Sequence, residues 1–368
     1  MEIKKIINQY NPANSLQNAS TPPSAWYTNK AIAQAERDSV FSANWLVAAR
    51  IDQLQGEGQY FATELAGQPI VIVRSDKIRA FYNVCRHHAA QVIPLGEGCT
   101  KTLTCPYHGW TYKLDGSLAN TPLFKDVCNF DKKQNGLKEV NVEVWESWVF
   151  VSLKEDPMPL QDFLGDLFHQ LKPLNLQNMA FHKSVSYQLD CNWKVYVDNY
   201  LDGGYHVPFL HKGLNSALDG KLYKIEVNDR YCLQSCPTKE VKNDSNEFAQ
   251  VRKGMARYYW QYPNVMFNLY EGIMGTMIVE ALAVDRCKVT FDYYFEKDNV
   301  KYTEAFKNNS VDIADKIQDE DRDICESVQR GLSSKGYDTG RLSPEKEAGE
   351  HLFHKLLFQD LTDFLIQT

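Results

Sequence analysis

Residues 82–116, YNVCRHHAAQVIPLGEGCTKTLTCPYHGWTYKLDG, contain two short pairs of metal-binding side chains. Cys85 and His87 form the first pair, Cys-x-His, and Cys105 and His108 form the second, Cys-x-x-His. Thiolates suit iron–sulfur clusters or zinc, and imidazoles suit iron or zinc. Four ligands at this spacing can bind metal without help from the rest of the chain. We therefore predict one metal centre at which the two pairs converge.

The residues around the two pairs distinguish a cluster from zinc. Gly109 permits close approach of the backbone, and Trp110 and Tyr112 supply aromatic cover. The pattern C-R-H … C-P-Y-H-G-W-x-Y resembles a Rieske [2Fe–2S] domain, in which two Cys hold one iron and two His the other. The alternative is zinc, but zinc fingers group Cys with Cys and His with His. Nearby, His88 is expected to point away from His87, and Cys99 to be a small buried residue.

The composition limits the function. The chain has 368 residues, 43% hydrophobic and 12% aromatic, which is enough for two domains with apolar cores. Its net charge of −7 argues against nucleic acid as a partner and is compatible with a cationic ligand. We expect no signal peptide and no membrane span, because no long apolar run is present. Nine cysteines without an export signal indicate reduced thiols, and we predict a cytoplasmic location.

Strand and helix patterns divide the chain into three parts. Residues 1–40 form an N-terminal segment with a helix capped by Asn29, and we expect it to pack on the last part. Residues 41–155 contain short strands separated by turns, which predicts an all-β Rieske domain. Residues 156–368 mix strands with long helices, which predicts a domain with helices packed on an antiparallel sheet. The predicted fold class is α+β.

A second metal site is indicated by His206 and His211 in the segment 198–214, DNYLDGGYHVPFLHKGL. On an ideal helix these rings would lie about 140° apart, but Pro208 disfavours helix at Val207. We expect the helix to break between the histidines, so that both rings face one point. Without such a break they would be ordinary, partly buried side chains. A Rieske centre needs an electron acceptor, and two His plus one carboxylate form the triad of oxygen-activating non-haem iron.

The third ligand is sought on an acidic helix, SVDIADKIQDEDRDICESVQRGL, at residues 310–332. At about 100° per residue its apolar side chains form one stripe. Those side chains are Ile313, Ala314, Ile317, Ile324, Cys325, Val328 and Leu332. Asp321 falls within the stripe, about 20° from its centre, whereas Glu320 lies about 80° away. Because a buried carboxylate is costly unless it is paired or metal-bound, we predict Asp321 as the ligand.

Together these motifs resemble the α-subunits of Rieske non-haem iron oxygenases, from about residue 40 to the C-terminus. The resemblance implies a Rieske [2Fe–2S] cluster, a mononuclear Fe(II) in a catalytic domain at 156–368, and O2 as co-substrate. Electrons would come from a separate flavin- or ferredoxin-type reductase or a ferredoxin, since no flavin or nicotinamide motif is visible. The resemblance also implies a homotrimer. Many members bridge subunits through an acidic residue three positions before the first His ligand. Gly203 occupies that position in this chain, and we expect Asp202, one position earlier, to take part in the bridge between subunits.

Finer features indicate the substrate. D-N-Y-L-D-G-G-Y-H-V-P, Y-P-N-V-M-F-N and V-Q-R-G-L resemble choline monooxygenase and related quaternary-ammonium oxygenases. This implies oxidation of choline to betaine aldehyde hydrate. The alternatives are a glycine betaine or carnitine oxygenase or demethylase, an aromatic-ring-hydroxylating oxygenase, and an electron carrier or zinc-stabilised binding module. Aromatic residues of the segment 258–270 form either a cation–π box or ordinary sheet core. They are Tyr258, Trp260, Tyr262, Phe267 and Tyr270.

Overall fold

The computed structural model describes residues 2–239 and 247–367. The chain forms two compact units. We call Phe41–Asp162 the β unit, and Met1–Val40 together with Phe163–Thr368 the α+β unit. The predicted fold class, an all-β Rieske part followed by helices on an antiparallel sheet, is confirmed. Among the described helices, none has both the length and the apolar character needed to cross a membrane.

Ten short strands build the β unit. They are β1 Trp45–Arg50, β2 Gln59–Leu65, β3 Gln68–Arg74, β4 Ile78–Tyr82, β5 Gly96–Cys99, β6 Leu103–Thr104, β7 Thr111–Tyr112, β8 Leu118–Asn120, β9 Glu139–Trp145 and β10 Trp148–Ser152. Seven form an antiparallel sheet in the order β1–β10–β9–β4–β3–β2–β5, and β6–β7–β8 form a small second sheet. The apolar core of this unit includes Val71 and Phe81 from the larger sheet, Tyr112 from the smaller one, and the side chains of Cys85 and Cys105. The two ligand pairs therefore rest on one packed core.

A single antiparallel sheet of seven strands forms the centre of the α+β unit. Its strands are β11 Met179–Leu189, β12 Lys224–Val227, β13 Tyr231–Pro237, β14 Met255–Gln261, β15 Val265–Tyr270, β16 Ile273–Ala283 and β17 Arg286–Glu296. Their order is β11–β17–β16–β15–β14–β13–β12, so every sequence neighbour from β12 to β17 is also a spatial neighbour. The connections within this meander have two or three residues each, except that residues 238–254 join β13 to β14.

The helices lie mainly in the α+β unit. They are α1 Glu2–Ile7, α2 Ala25–Thr28, α3 Lys30–Glu36, α4 Leu160–Leu164, α5 Leu167–Gln170, α6 Trp193–Leu201, α7 Val207–Leu210, α8 Lys212–Ala217, α9 Glu247–Val251, α10 Glu304–Leu332 and α11 Ala348–Gln367. The predicted cap of α3 is confirmed, because the Asn29 side chain accepts a hydrogen bond from Ala31 N. Trp193 of α6 packs edge-on against Phe353 of α11, at 5.5 Å between ring centroids. Helices α6, α10 and α11 carry most of the polar groups described below.

Candidate metal centres

The first centre is built from two loops that close in the same way. The first loop follows β4, and the second connects β6 with β7. In the first, Cys85 O accepts from Ala89 N at 3.0 Å, and Cys85 N donates to Ala90 O at 2.8 Å. In the second, Cys105 O accepts from Gly109 N at 3.1 Å, and Cys105 N donates to Trp110 O at 2.8 Å. Each Cys is therefore fixed by its own backbone at the same two offsets along the chain.

Both loops turn through a residue in the left-handed region. Ala89 has φ of 60° and Gly109 has φ of 72°. This conformation brings the side chain into conflict with the following carbonyl for any residue except glycine. A Cβ added at Gly109 would also lie 3.3 Å from Pro122 Cγ. Glycine is therefore favoured at position 109 both by the backbone conformation and by the close contact with Pro122.

The four predicted ligands come together at the ends of these loops. The rings of His87 and His108 lie 4.7 Å apart, and His87 stacks on Trp110, also at 4.7 Å between centroids. Cys85 Sγ is 3.4 Å from the Tyr112 hydroxyl. His87 Nδ1 is buried and has no hydrogen-bond partner among the described residues. A buried nitrogen lone pair without a partner is what a metal ligand presents before the metal is added.

The chemistry of this donor set fits a cluster. Burial raises the pKa of the Cys105 thiol, and the neighbouring Cys85 raises it further. A thiol in such surroundings keeps its proton unless a cation takes the proton's place, and metal ligation does this. Two thiolates and two imidazoles around one point match the Rieske arrangement.

Two expectations for this loop are wrong. Cys99 is exposed, because it lies at the end of the edge strand β5. His88 is also exposed, but its ring does not point away from His87: the two rings pack at 4.1 Å. The segment is a turn, so the alternation of an extended chain does not apply.

The second centre begins where α6 ends. After Asp202, both Gly203 and Gly204 have φ of 68°, which stops the helix. His206 then precedes the one-turn helix α7, and His211 follows it. Their rings lie 4.9 Å apart at a steep angle. The convergence of the two rings is as expected from the sequence, although the path of the backbone is different.

The predicted break at Val207 is wrong in position. Val207–Leu210 is helical, and Pro208 lies in its first turn. Proline is tolerated there because the first N–H groups of a helix have no intrahelical acceptor to lose. The interruptions lie on either side, at the two glycines and at His211, whose φ and ψ are −103° and 75°.

Asp321 of α10 completes this centre. One donor atom from each of His206, His211 and Asp321 lies within 4.8 Å of the others. His211 Nε2 is 3.0 Å and His206 Nε2 4.0 Å from the same oxygen, Asp321 Oδ1. Asp321 is 6% exposed, as the stripe argument predicted. Ile324 and Val328, which belong to the predicted stripe, are instead exposed, because the buried face runs through Cys325 and Gln329.

Each histidine also has a carboxylate on its other ring nitrogen. His206 Nδ1 is 2.6 Å from Asp202 Oδ2, and His211 Nδ1 is 2.6 Å from Glu320 Oε2. Both Nε2 atoms are therefore left for a metal. Burial lowers the pKa of His211, but hydrogen bonds with Asp321 and Glu320 outweigh it, and the net shift is upward. Two imidazoles and one carboxylate with open positions are the ligands of non-haem iron(II).

Sequence reasoning missed two supporting residues of this centre. Asn199 of α6 donates from Nδ2 to Asp321 Oδ1 at 2.9 Å, fixing the carboxylate. Glu320, which the stripe places away from the ligand position, contacts the far side of His211. Adjacent acidic residues at 320 and 321 were the available signal, because consecutive helical positions point to neighbouring faces.

Three of the five aromatic residues lie in the buried core, which is one of the two interpretations that the sequence left open. Phe267 pairs with Tyr259 across β14 and β15, so it lies on the sheet face opposite to Tyr258. Trp260 shares the face of Tyr258 in β14, and Tyr262 follows the end of that strand; both contact helix α11. Trp260 packs against Phe353 at 5.5 Å, and the Tyr262 hydroxyl donates to Asp360 Oδ2 at 2.8 Å.

Four tyrosines lie near the segment that contains His206 and His211, and we call them the tyrosine cluster. They are Tyr200, Tyr223, Tyr258 and Tyr270. The hydroxyls of Tyr258 and Tyr270 lie 2.6 Å apart, and Tyr223 packs so closely on Gly204 that a Cβ there would lie 2.9 Å from its ring. Burial raises the pKa of all four phenols, so the cluster is neutral.

Comparison with known families agrees with this geometry. Residues 44–131 match the Rieske [2Fe-2S] domain, and residues 176–361 match the catalytic domain of the ring hydroxylating alpha subunit. The chain therefore belongs to the Rieske non-haem iron oxygenases. As a member of this family it is a Rieske non-haem iron monooxygenase with a [2Fe–2S] cluster and a mononuclear iron, and the predicted family and cofactors are confirmed.

Individual relatives indicate which members of the family this chain is similar to. The chain is 37% identical to the chloroplastic choline monooxygenase of Arabidopsis thaliana, over 98% of this chain and 87% of that protein. It is 30% identical to the carnitine monooxygenase oxygenase subunit of Escherichia coli K12, over 94% of this chain and 95% of that protein. A solved quaternary ammonium Rieske monooxygenase, described for carnitine oxidation and inter-subunit electron transfer, superposes with a TM-score of 0.84. It is 27% identical and covers 95% of this chain and 96% of its own.

Proposed function

We propose that this chain oxidises a quaternary ammonium compound with O2, and that choline is the substrate and betaine aldehyde hydrate the product. The observation that carries the proposal is the convergence of His206, His211 and Asp321 in the part of the chain that matches the catalytic domain. The similarity to choline monooxygenase over 98% of the chain supports the choice of choline.

The proposed ligand sets follow the two geometries. Cys85 and Cys105 would hold one iron of the cluster, and His87 and His108 the other. In the α+β unit, His206, His211 and Asp321 would hold the mononuclear iron through Nε2, Nε2 and a carboxylate oxygen. When bound, the cluster supplies single electrons and the mononuclear iron supplies O2 activation beside the substrate C–H bond.

The protein contributes orientation and charge. Asp202 accepts from both Nδ1 and the backbone N of His206, so it fixes the ring before any metal is bound. Asn199 holds Asp321 Oδ1, which directs the carboxylate toward the two Nε2 atoms. The set of two neutral imidazoles and one carboxylate leaves one positive charge on a divalent ion, so the substrate's own cationic group must be kept at a distance from it.

The tyrosine cluster is the proposed binding site for the trimethylammonium group. Such cations are attracted to aromatic faces by about 0.5–2 kcal/mol each. Basic groups already lie over two of the rings: Arg252 over Tyr270 at 5.3 Å, and Lys346 over Tyr223 at 5.5 Å. No such pair involves Tyr200 or Tyr258 within the described residues. We therefore assign the cation contact to Tyr200 and Tyr258.

A second candidate is glycine betaine or carnitine, which would be oxidised with loss of a methyl group or of the amine arm. The 30% identity to a carnitine monooxygenase subunit favours it specifically. An arginine near the bound substrate would favour a carboxylate-bearing compound. Arg252 is buried, but its guanidinium already donates to the Ser310 hydroxyl and to Ser310 O. Choline, which has no carboxylate, therefore remains the first candidate substrate.

The partners and assembly are further parts of the proposal. We propose a homotrimer in which Asp202 helps to couple the mononuclear site to a neighbouring subunit's cluster, with a separate reductase or ferredoxin as electron donor. The inter-subunit electron transfer described for the solved relative supports this arrangement of subunits. We propose the cytoplasm as the location. All nine cysteines are free, which is typical of a reducing compartment.

The test is product analysis with the reconstituted full chain, ferredoxin, ferredoxin reductase and NADPH. Betaine aldehyde formed from choline with matching O2 uptake supports the first proposal. Formaldehyde from glycine betaine, or an amine-free fragment from carnitine, supports the second. Turnover of aromatic acids with no ammonium compound consumed contradicts both. A Tyr258→Leu variant should raise KM for choline about 10-fold, whereas Tyr259→Leu, on the opposite sheet face, should leave it unchanged.

A further inference from the structure

Glu320 has a contact that the ligand set alone does not require. Its Oε2 lies 2.6 Å from His211 Nδ1, while the next residue, Asp321, lies 3.0 Å from His211 Nε2. Consecutive helical side chains diverge by about 100°. A ring inserted between them can therefore touch both through its two nitrogens, and His211 does so.

This contact fixes the tautomer of His211. His211 is 1% exposed, so in the folded chain Nδ1 takes its hydrogen-bond partner from Glu320 and not from solvent. With Nδ1–H donating to a carboxylate, the Nε2 lone pair points toward the metal position. Without Glu320, the buried ring could place its proton on Nε2 and donate it to Asp321, which would block the ligand atom.

The two histidines depend on different parts of the chain. His206 is oriented by Asp202, which lies four residues earlier in the same segment and also accepts from the His206 backbone. His211 has no such local partner, because its orienting carboxylate comes from α10, more than a hundred residues later. Glu320 is 45% exposed, so it contributes little to the packed core of that helix. Its geometry is better explained by the His211 contact than by packing.

We infer that Glu320 is a positioning residue for the mononuclear iron: it holds His211 in the metal-binding tautomer and makes α10 the source of both a ligand and a ligand's support. The inference rests on the proposed ligand role of His206, His211 and Asp321, and not on the identity of the substrate. It predicts that Glu320 affects metal binding directly, before any turnover.

The test measures Fe(II) affinity of the metal-depleted mononuclear site in the full chain with its cluster intact, by competition with a chromophoric chelator. Glu320→Ala should bind Fe(II) about 10- to 100-fold more weakly than the parent. Glu320→Gln, whose amide oxygen can still accept from Nδ1–H, should recover most of that loss. The matched control is Asp323→Ala, which removes an exposed carboxylate of the same helix and should stay within about twofold of the parent.

A second readout reports geometry instead of affinity. Co(II) bound at this site should show an altered ligand-field absorption spectrum in Glu320→Ala and an unaltered one in Asp323→Ala. Equal Fe(II) affinity and equal Co(II) spectra for Glu320→Ala and the parent would overturn the inference while leaving the ligand set intact. A parent chain that binds no Fe(II) outside its cluster would overturn the inference together with the proposed ligand set.

Discussion

The cluster site takes its four proposed ligands from residues 85–108, whereas the mononuclear site takes three from residues 206, 211 and 321. In the first, backbone hydrogen bonds within each loop fix the Cys residues at equal offsets. In the second, side-chain hydrogen bonds from three carboxylates and one amide fix the ligands. The first site is thus a property of local chain geometry, and the second depends on packing α10 against the His segment.

This difference predicts different sensitivities. Backbone-defined sites respond to changes in allowed φ, even where no ligand is altered. The mononuclear site also turns through left-handed residues, Gly203 and Gly204, but it responds in addition to the loss of a single hydrogen-bonding side chain.

Loss of a cluster ligand should have the largest effect. His108→Ala should abolish the visible absorption and the rhombic electron paramagnetic resonance signal of the reduced [2Fe–2S] cluster, because it removes one of the two imidazoles proposed to hold the same iron. About one iron per chain should remain, at the mononuclear site. Iron analysis and spectroscopy of the purified variant check this. A cluster spectrum that persists unchanged would show that His108 is not a ligand.

Loss of the carboxylate ligand should remove the mononuclear iron and turnover but leave the cluster intact. Asp321→Ala should retain the full cluster spectrum and lose the mononuclear iron, because two imidazoles are left without their anionic partner. Turnover should fall by at least about 100-fold, equivalent to ~2.7 kcal/mol. Total iron and O2 uptake are the measurements. Retained iron and activity would mean that a different carboxylate completes the site.

Paired changes at the two left-handed residues should have opposite, moderate effects. Gly109→Ala should destabilise the cluster loop by about 1–2 kcal/mol, and Ala89→Gly should stabilise it by about 1 kcal/mol. The comparison site is Gly213 in α8, where a Cβ would meet nothing within 4 Å. Gly213→Ala should leave cluster stability unchanged. The readout is the temperature at which cluster absorbance is lost, and equal shifts for all three variants would contradict the contrast.

The smallest predicted effect is a pH dependence of stability at Glu350. Burial raises the pKa of its carboxyl well above the usual range, and the neighbouring charges of Asp198 and Glu347 raise it further. Its unfolded form loses the proton first as pH rises, so native stability falls through that window. Glu350→Gln removes this penalty, so its Tm advantage should be larger at pH 8 than at pH 5. The exposed control Glu345→Gln should show no such trend.

The convergence of Cys85, His87, Cys105 and His108 could be predicted because these residues lie within one pair of loops. The burial of Asp321 could also be predicted, since a carboxylate inside an apolar stripe needs a partner. The sequence did not place α7, because the rule against proline in helices has an exception in the first turn. It also left the role of Trp260 and Tyr262 open, since period-two alternation identifies a shared sheet face but not the helix that covers it. Contacts such as Glu320 with His211 join distant segments and become visible only in three dimensions.

The most direct test of the account is a single turnover without any reductase. The full chain is reduced chemically, freed of excess reductant and mixed with O2 in the presence or absence of choline. The account predicts that choline accelerates reoxidation of the cluster and is converted to betaine aldehyde. It further predicts that Asp321→Ala, although fully reduced, forms no product. Reoxidation at the same rate in Asp321→Ala, with betaine aldehyde formed, would contradict the assignment of oxygen chemistry to His206, His211 and Asp321.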